Sequence, residues 1–192
     1  WSTGCFHTIR TGHFFHLTKN HFRMLNKILI NANSICITLQ IYPVWHLFCE
    51  TLTLLEKQNI RTVTPEQLGE LVDFISIDVA FISLDKVLPV ATTLLKDTGS
   101  LVALIKPQFE AGKENVGKGG IVRDSNIHKE VLHRILQVAY DCGLYIHGLT
   151  FSPIKGMEGN IEFLGYFKKY EEGALTINDE LIDAVVTEAH SL

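Results

Sequence analysis

The chain has 192 residues, of which 46% are hydrophobic and 20% are charged, and its formal net charge is −4. These values predict a globular domain with a substantial core, and they argue against a generally basic nucleic-acid binder, although a local basic patch can still bind nucleic acid. The four cysteines form no C-x-x-C pair and no metal-ligand spacing, so we interpret them as free thiols in a reducing cytosol rather than as a disulfide or zinc framework.

Residues 1–53 differ in pattern from the rest of the chain. They hold five of the nine histidines and three of the four cysteines, and their first acidic residue is Glu50. The histidines lack the regular spacing of metal ligands, so we predict no metal site. Because no methionine precedes Trp1, we interpret the chain as a fragment. We expect an atypical, disordered or degraded segment over residues 1–53 and an ordered domain over residues 54–192.

Ile35–Leu55 has about the length of a membrane-spanning helix. Four residues unsuited to hydrocarbon interrupt it, namely Gln40, Pro43, His46 and Glu50. An ionisable group at the centre of a bilayer costs about 2.5 to 3.5 kcal/mol on the insertion scale. We therefore predict no membrane insertion. The N-terminus also lacks the basic and apolar segments of a signal peptide.

Two apolar segments in the ordered part each end on an ionisable residue. Residues 71–78 predict a strand that ends at Asp78, and Leu101–Ile105 predicts a buried strand followed by Lys106. A lysine at a strand end is often only a solvated cap. The helical pattern over residues 85–96 nevertheless links the two strands as a βαβ unit, whose crossover is almost always right-handed. We expect both side chains at one edge of a parallel sheet, where open α/β sheets bind ligands.

Helices and strands alternate along the remainder, which predicts an α/β fold. The predicted elements are a short helix from Thr64 and Pro65, a turn at 97–99, a helix over 126–141 capped by Ser125, strands over 145–151 and 160–167, and a helix over 178–189. Glu162 falls inside the last strand. The alternation of the strand leaves open whether this carboxylate faces solvent or a site.

The loop after the second strand is rich in glycine and carries Lys113, Lys118 and Arg123. Residues 112–119 are similar to a phosphate-binding P-loop, but Gly119 stands where the motif needs a hydroxyl group for Mg²⁺, so we predict no nucleotide hydrolysis. The cations suit contact with a polyanion such as an RNA backbone. A solvated surface loop is the alternative interpretation.

Several segments together resemble the catalytic domain of one known family. They are EKQNIR (56–61), VDFISIDVAFISL (72–84), ALIKPQFE (103–110), GIVRD (120–124), FSPIKG (151–156) and GNIEF (159–163). The same segments in the same order occur in the TlyA family, the hemolysin A proteins, which are ribosomal RNA 2′-O-ribose methyltransferases of the FtsJ-like class. The resemblance implies a Rossmann-like sheet, S-adenosylmethionine as cofactor, ribosomal RNA or a ribosomal subunit as partner, and a cytoplasmic location.

The resemblance also implies roles for individual residues. By motif position, Asp78, Lys106 and Glu162 match the last three members of the family's Lys-Asp-Lys-Glu catalytic tetrad, with the lysine as base and the two acids positioning it. The implied cofactor-binding residues are Ser2, Thr3, Gly4, Asn59 and Asp78. The implied RNA-binding residues are Lys113, Lys118, Arg123 and Lys155.

The first 53 residues depart from the family pattern. Cys5 replaces a glycine of the cofactor loop, where a side chain obstructs the approach of a ligand. The first lysine of the tetrad, the family's second strand and an upstream S4-type RNA-binding domain have no counterpart. We therefore expect a remnant of the cofactor-binding part, irregular N-terminal strands and impaired methyl transfer. The alternatives are a non-catalytic RNA- or ribosome-binding remnant and a membrane-active, hemolysin-like protein.

Overall fold

A computed structural model describes residues 25–31, 34–41, 49–56 and 58–191. Its strands are β1 (Leu25–Asn31), β2 (Ser34–Ile41), β3 (Cys49–Glu56), β4 (Val72–Asp78), β5 (Leu95–Ile105), β6 (Tyr145–Phe151) and β7 (Phe163–Lys168). Its helices are α1 (Pro65–Leu68), α2 (Leu88–Leu94), α3 (Pro107–Glu110), α4 (Ser125–Asp141) and α5 (Asp179–His190). Short 3₁₀ turns lie at Ile60–Thr62, Leu84–Lys86, Lys113–Asn115 and Met157–Gly159.

All seven strands belong to one sheet, in the order β3-β2-β1-β4-β5-β7-β6. The central strands β1, β4 and β5 are parallel, whereas the remaining neighbours pair antiparallel. Parallel strands need a crossover connection, which α2 provides between β4 and β5. The mixed α/β sheet confirms the predicted fold class. The run β1 to β3 is antiparallel and pairs in continuous register.

One face of the sheet builds the described core together with α2, α4 and α5. Strand alternation directs Ile75 and Ile77 of β4 into this core, as it does Phe163 and Phe167 of β7, and each of the four is at most 1% exposed. The helices contribute apolar residues at helical spacing, such as Val131, Leu132, Ile135, Leu136 and Ala139 of α4. The packed face thus fixes β4, β5 and β7 relative to one another; β4 and β5 end at the candidate site, and β7 begins there.

Several predicted boundaries differ from the structure. The helix expected over 85–96 is shorter, because β5 begins at Leu95 and includes the expected turn at 97–99. The cap of α4 is Asp124 rather than Ser125, since Asp124 Oδ1 accepts a hydrogen bond from Asn126 N at 2.8 Å. The strand expected over 160–167 begins only at Phe163, so Glu162 lies just before it.

The segment weighed as a membrane helix is largely occupied by strands β2 and β3. Among the residues that the structure describes, no helix is long and apolar enough to cross a bilayer. Strand β3 spans residues 49–56 and so crosses the proposed boundary at residue 53. The division of the chain into two parts stays a prediction.

Candidate active site at the carboxyl edge of the sheet

Asp78 and Lys106 meet at the ends of two adjacent parallel strands. The register pairs Ile77 of β4 with Ala103 of β5, so both strands end at the same edge of the sheet. Lys106 follows the end of β5, and Pro107 then begins α3, because proline cannot continue the hydrogen-bonded ladder. Lys106 Nζ lies 2.6 Å from Asp78 Oδ1. The lysine side chain is 16% exposed and the aspartate 47%, so a sheltered ammonium group is paired with an accessible carboxylate.

Glu162 reaches the same edge from a third strand. Strand β7 runs antiparallel to β5, and the register pairs its first residue, Phe163, with Ile105. The residue before Phe163 therefore stands opposite Lys106. Glu162 is buried, and its Oε1 accepts a hydrogen bond from Gln108 Nε2 at 2.9 Å. We name Asp78, Lys106 and Glu162 the edge cluster.

The charge of Glu162 is set by opposing influences. Burial raises the pKa of Glu162, the hydrogen bond from Gln108 and the positive charge of Lys106 lower it, and the charge of Asp78 raises it, with a net rise above the ordinary value of 4.5. The edge cluster therefore places one cation between two acids of different accessibility. Such a group can orient the lysine toward a bound hydroxyl group, and once the ammonium group has released its own proton to solvent, the amine can receive the proton of that hydroxyl.

Glu110 joins the two loops that follow Asp78 and Lys106. Its carboxylate accepts hydrogen bonds from Ser83 Oγ at 2.6 Å, from Leu84 N at 2.8 Å and from Arg134 Nη2 at 2.7 Å. Its side chain is only 2% exposed. A buried carboxylate with three donors is fully satisfied and holds the loops in place. The sequence analysis missed this role, because nothing in the local pattern pairs Glu110 with Ser83 or Arg134.

Two phenylalanines of the same two segments contact each other. The rings of Phe81 and Phe109 are 4.9 Å apart between centroids. Phe81 is 88% exposed and has a φ of 62°, a left-handed conformation that is uncommon for a bulky residue. The exposed ring thus stands three residues after Asp78, at the border of the edge cluster. The hydrophobic pattern gave no reason to expect it outside the core.

The four predicted RNA-binding residues are all exposed. Lys113 lies in a 3₁₀ turn, Lys118 and Arg123 lie around a bridge between residues 117 and 121, and Lys155 lies in the loop between β6 and β7. Asn160 joins the last two loops: its Oδ1 accepts from Val122 N at 3.1 Å, and its Nδ2 donates to Gly120 O at 2.9 Å. The two loops that carry Lys118, Arg123 and Lys155 are therefore joined to each other, and we name their exposed cations, together with Lys113, the connected basic surface.

The predicted cofactor residues divide into three groups. Ser2, Thr3 and Gly4 lie outside the described residues. Asn59 uses its Oδ1 to accept hydrogen bonds from Arg61 N and Arg61 Nε, at 3.1 and 3.3 Å, so it caps a local turn. Asp78 is the predicted cofactor residue that lies at the edge itself. Within residues 58–191 and the three described strands before them, no group of three or more His, Cys, Asp or Glu could hold a metal ion.

Comparisons with known proteins give one consistent result. A family model described as FtsJ-like methyltransferase matches residues 11–169. The chain is 45% identical over 144 residues to "Putative rRNA methyltransferase YqxC" of Bacillus subtilis, covering 73% of this chain and 51% of that protein. It is 36% identical over 134 residues to "16S/23S rRNA (cytidine-2'-O)-methyltransferase TlyA" of Mycobacterium tuberculosis, covering 70% of this chain and 50% of that protein.

A solved structure agrees with these relatives. It is titled "Putative hemolysin from Streptococcus thermophilus", shares 45% sequence identity with this chain, and superposes with a TM-score of 0.66. The match covers 71% of this chain and 50% of the solved chain. The chain therefore spans about half the length of the curated relatives and of the solved structure that it matches.

Proposed function

We propose that this chain, which belongs to the FtsJ-like methyltransferase family, transfers a methyl group from S-adenosylmethionine to a ribose 2′-hydroxyl group of ribosomal RNA. The observation that carries the proposal is the edge cluster, in which Lys106 Nζ lies 2.6 Å from Asp78 Oδ1 and Glu162 stands opposite the lysine. The printed name of the Mycobacterium tuberculosis relative, a (cytidine-2'-O)-methyltransferase, supports the choice of the 2′-hydroxyl group.

The cofactor would supply an electrophilic methyl group on a positively charged sulfur. The task of the protein is then to hold a ribose hydroxyl group in line and to accept its proton. Lys106 is suited to the second part once its ammonium group has released a proton to solvent, because the side chain is sheltered and held at a fixed position by Asp78. Glu162 stands opposite the lysine on the other side and interacts with it by charge. Alignment of the two reactants can contribute a large part of the rate enhancement.

The described residues fit one side of the cofactor. Asp78 Oδ1 pairs with Lys106, and the aspartate side chain is still 47% exposed. This carboxylate can therefore accept a hydrogen bond from a further donor or attract a positively charged ligand. Strand β1 pairs in parallel with β4 and brings Asn31 level with Asp78, which places the ends of both strands at this edge. We propose that residues 2–4, within the N-terminal part of the chain, complete the cofactor site.

The connected basic surface would bind the RNA backbone. Lys118, Arg123 and Lys155 are exposed on the two loops that Asn160 joins, and Lys113 stands on the turn after α3. Lysine and arginine that contact phosphates release counterions, so binding through such residues weakens as salt increases. Because the overall charge is −4, binding to a polyanion would depend on such a local basic surface rather than on the total charge.

Methyl transfer to ribosomal RNA tests the proposal directly. The full chain is incubated with S-adenosylmethionine carrying a labelled methyl group and with unmodified ribosomal subunits, and 2′-O-methyl nucleotides are mapped by mass spectrometry. We expect one or a few modified nucleotides, and none with Lys106→Ala. Calorimetric titration with S-adenosylmethionine accompanies the assay, with binding near one to one as the expected result.

One alternative has support in the exposed basic loops, namely an RNA- or ribosome-binding protein without methyl transfer. Salt-dependent binding to ribosomal RNA, together with no heat from S-adenosylmethionine and no methylated nucleotide, would favour this alternative. The same result would refute the proposed activity for this chain, provided that circular dichroism shows the chain to be folded.

A further inference from the structure

Gln108 contacts the one acid of the edge cluster that is buried. Its Nε2 donates to Glu162 Oε1 at 2.9 Å. An ionised carboxylate has only acceptors, so the amide nitrogen, rather than the amide oxygen, must face it. The other amide atom, Gln108 Oε1, is buried without a hydrogen-bond partner among the described residues. A buried acceptor without a partner destabilises a fold. The presence of Gln108 at this position is therefore not explained by the stability that its own hydrogen bonds provide.

The turn that carries Gln108 is held at both ends. Phe109 N donates to Lys106 O at 2.9 Å, and Ala111 N donates to Pro107 O at 2.9 Å. Glu110, the next residue but one, is fixed by its three donors. One short turn therefore directs Lys106 to Asp78 and Gln108 to Glu162.

Gly156 bounds the Glu162 carboxylate on another side. A Cβ placed on Gly156 would overlap the Glu162 carboxylate, so a residue with a side chain would displace that group. The backbone of Gly156 is itself held, because Gly156 N donates to Asn160 O at 2.8 Å. The carboxylate thus contacts an amide that binds it and lies close to a backbone position that has no room for a side chain.

We propose that Gln108 is a positioning residue of the candidate active site, which holds the Glu162 carboxylate between its own amide and the backbone of Gly156. This inference rests on the proposed methyl transfer, because it assigns Gln108 an effect on the step that Lys106 and Glu162 serve. Gln108 acts through Glu162 and has no contact with a reacting atom. Its bond also favours the ionised carboxylate, since it lowers the pKa of Glu162 against the effect of burial.

The charged groups that shift the pKa of Glu162 lie at the ends of two neighbouring strands. Lys106 follows β5 and lowers the pKa of Glu162, and Asp78 ends β4 and raises it. Gln108 is uncharged at every pH, so its removal shifts the titration of Glu162 without adding a titrating group. This makes Gln108→Met the informative substitution, because methionine has nearly the same length and no donor.

The experiment measures Glu162 and the reaction separately in the full chain. Carboxyl ¹³C NMR follows the titration of Glu162, with the signal assigned from Glu162→Gln, and steady-state kinetics gives kcat and KM across pH. For Gln108→Met we expect a higher pKa of Glu162, an acid limb of the pH–kcat profile at higher pH, and kcat about tenfold lower at neutral pH with KM values unchanged. In a Glu162→Gln background, Gln108→Met should lower kcat no further.

Gln137→Met is the matched control, because Gln137 Nε2 donates to the carboxylate of Asp141 at 2.8 Å on the exposed side of α4. It should change neither kcat nor the Glu162 titration. Gly156→Ala should also lower kcat, because its Cβ would displace the Glu162 carboxylate. Gly148→Ala is its control, because a Cβ on Gly148 meets Tyr166 Cβ at an ordinary 3.5 Å.

An unchanged Glu162 titration in Gln108→Met would overturn the proposal. So would a loss of kcat that is equally large in the Glu162→Gln background, because Gln108 would then act by another route. If Gln108→Met does not fold, Gly156→Ala decides: wild-type kcat and an unchanged Glu162 titration in that variant would also overturn it. If the wild-type chain shows no methyl transfer, the proposed function fails, and the NMR titration alone still decides whether Gln108 sets the state of Glu162.

Discussion

Strands β4 and β5 are joined by an aspartate and a lysine at both of their ends. At the carboxyl edge, Lys106 Nζ lies 2.6 Å from Asp78 Oδ1, and at the opposite edge Lys96 Nζ lies 2.9 Å from Asp73 Oδ2. The exposures are reversed. Lys106 is more sheltered than its aspartate, at 16% against 47%, whereas Lys96 is more exposed than its aspartate, at 35% against 21%.

The groups around each pair differ more than the pairs themselves. The carboxyl edge adds the buried acid Glu162, whose pKa is raised mainly by burial. The opposite edge adds Lys169, whose Nζ donates to Leu95 O at 2.6 Å and lies 3.3 Å from Asp97 Oδ1. At that edge each acid thus has a lysine partner, whereas at the carboxyl edge two acids share one. A perturbed acid beside a sheltered cation is typical of functional sites, and a balanced surface pair is not.

The largest expected difference between the two edges comes from the lysines. Lys106→Met should lower methyl transfer about a thousandfold, because the hydroxyl group then has no proton acceptor at that position. Lys96→Met removes the same charge from the other end of β5 and should leave kcat within about twofold. Single-turnover transfer to ribosomal RNA, with saturating cofactor, measures both variants. Equal losses in the two would mean that the carboxyl edge is not the reaction site.

Substitution of the aspartates Asp78 and Asp73 should give the next largest difference between the two edges. Asp78→Asn should lower kcat about a hundredfold, since the amide keeps the shape but no longer holds the lysine by charge. It should also weaken S-adenosylmethionine binding, which calorimetry measures. Asp73→Asn breaks the corresponding pair at the opposite edge and should reduce the melting temperature by a few degrees at most. A wild-type affinity for the cofactor in Asp78→Asn would remove Asp78 from the proposed cofactor site.

The meeting of Asp78 and Lys106 follows from properties that the sequence carries locally. Each residue ends an apolar strand, and a right-handed crossover brings adjacent parallel strands to one edge. The hydrogen bond between Gln108 and Glu162 joins residues 54 positions apart. It depends on β7 returning antiparallel beside β5, which periodicity does not indicate. The sequence pattern also predicts a strand over 160–167, whereas β7 begins only at Phe163. The side-chain hydrogen bonds of Asn160 hold residue 160 in the preceding loop, so Glu162 lies before the strand.

Errors in the caps and short elements have a similar physical origin. Asp124 and Ser125 are both good capping residues, and only the hydrogen bond to Asn126 N distinguishes them. The three donors to Glu110 come from a loop and a helix that are distant in sequence, so no spacing rule connects them. The family, in contrast, was predicted correctly from six short segments and is confirmed by the match over residues 11–169. That match begins well before Leu54, in a region where the motifs gave no alignment.

Replacing Glu162 should lower activity less than replacing Lys106 or Asp78, and it should raise the stability of the fold at neutral pH. Glu162→Gln should lower kcat about tenfold, because the neutral amide holds Lys106 less firmly. The folded pKa of Glu162 is raised above the ordinary value of 4.5, so the folded state binds more protons than the unfolded state in this range. The contribution of Glu162 to stability is therefore complete below pH 4.5 and is lost as pH rises through the folded pKa.

Thermal melts across pH can check this sign. Glu162→Gln should melt higher than the wild type at pH 7, and the gap should close toward pH 4, where the wild-type acid is neutral in the folded state. A variant Glu162→Gln that melts lower than the wild type at pH 7 would mean that the charged form is stabilised in the fold, contrary to the direction of the pKa.

The smallest effects are expected on the basic surface, because exposed cations act additively on a polyanion. Lys118→Ala and Arg123→Ala should each weaken binding to ribosomal RNA several-fold at low salt and reduce the slope of log K against log salt by about one. Lys96→Ala removes an equal charge at the opposite edge and should leave the slope unchanged. Asn160→Ala leaves every charge in place but unties the two loops, so weaker binding in this variant would show that the connected surface, rather than charge alone, recognises the RNA.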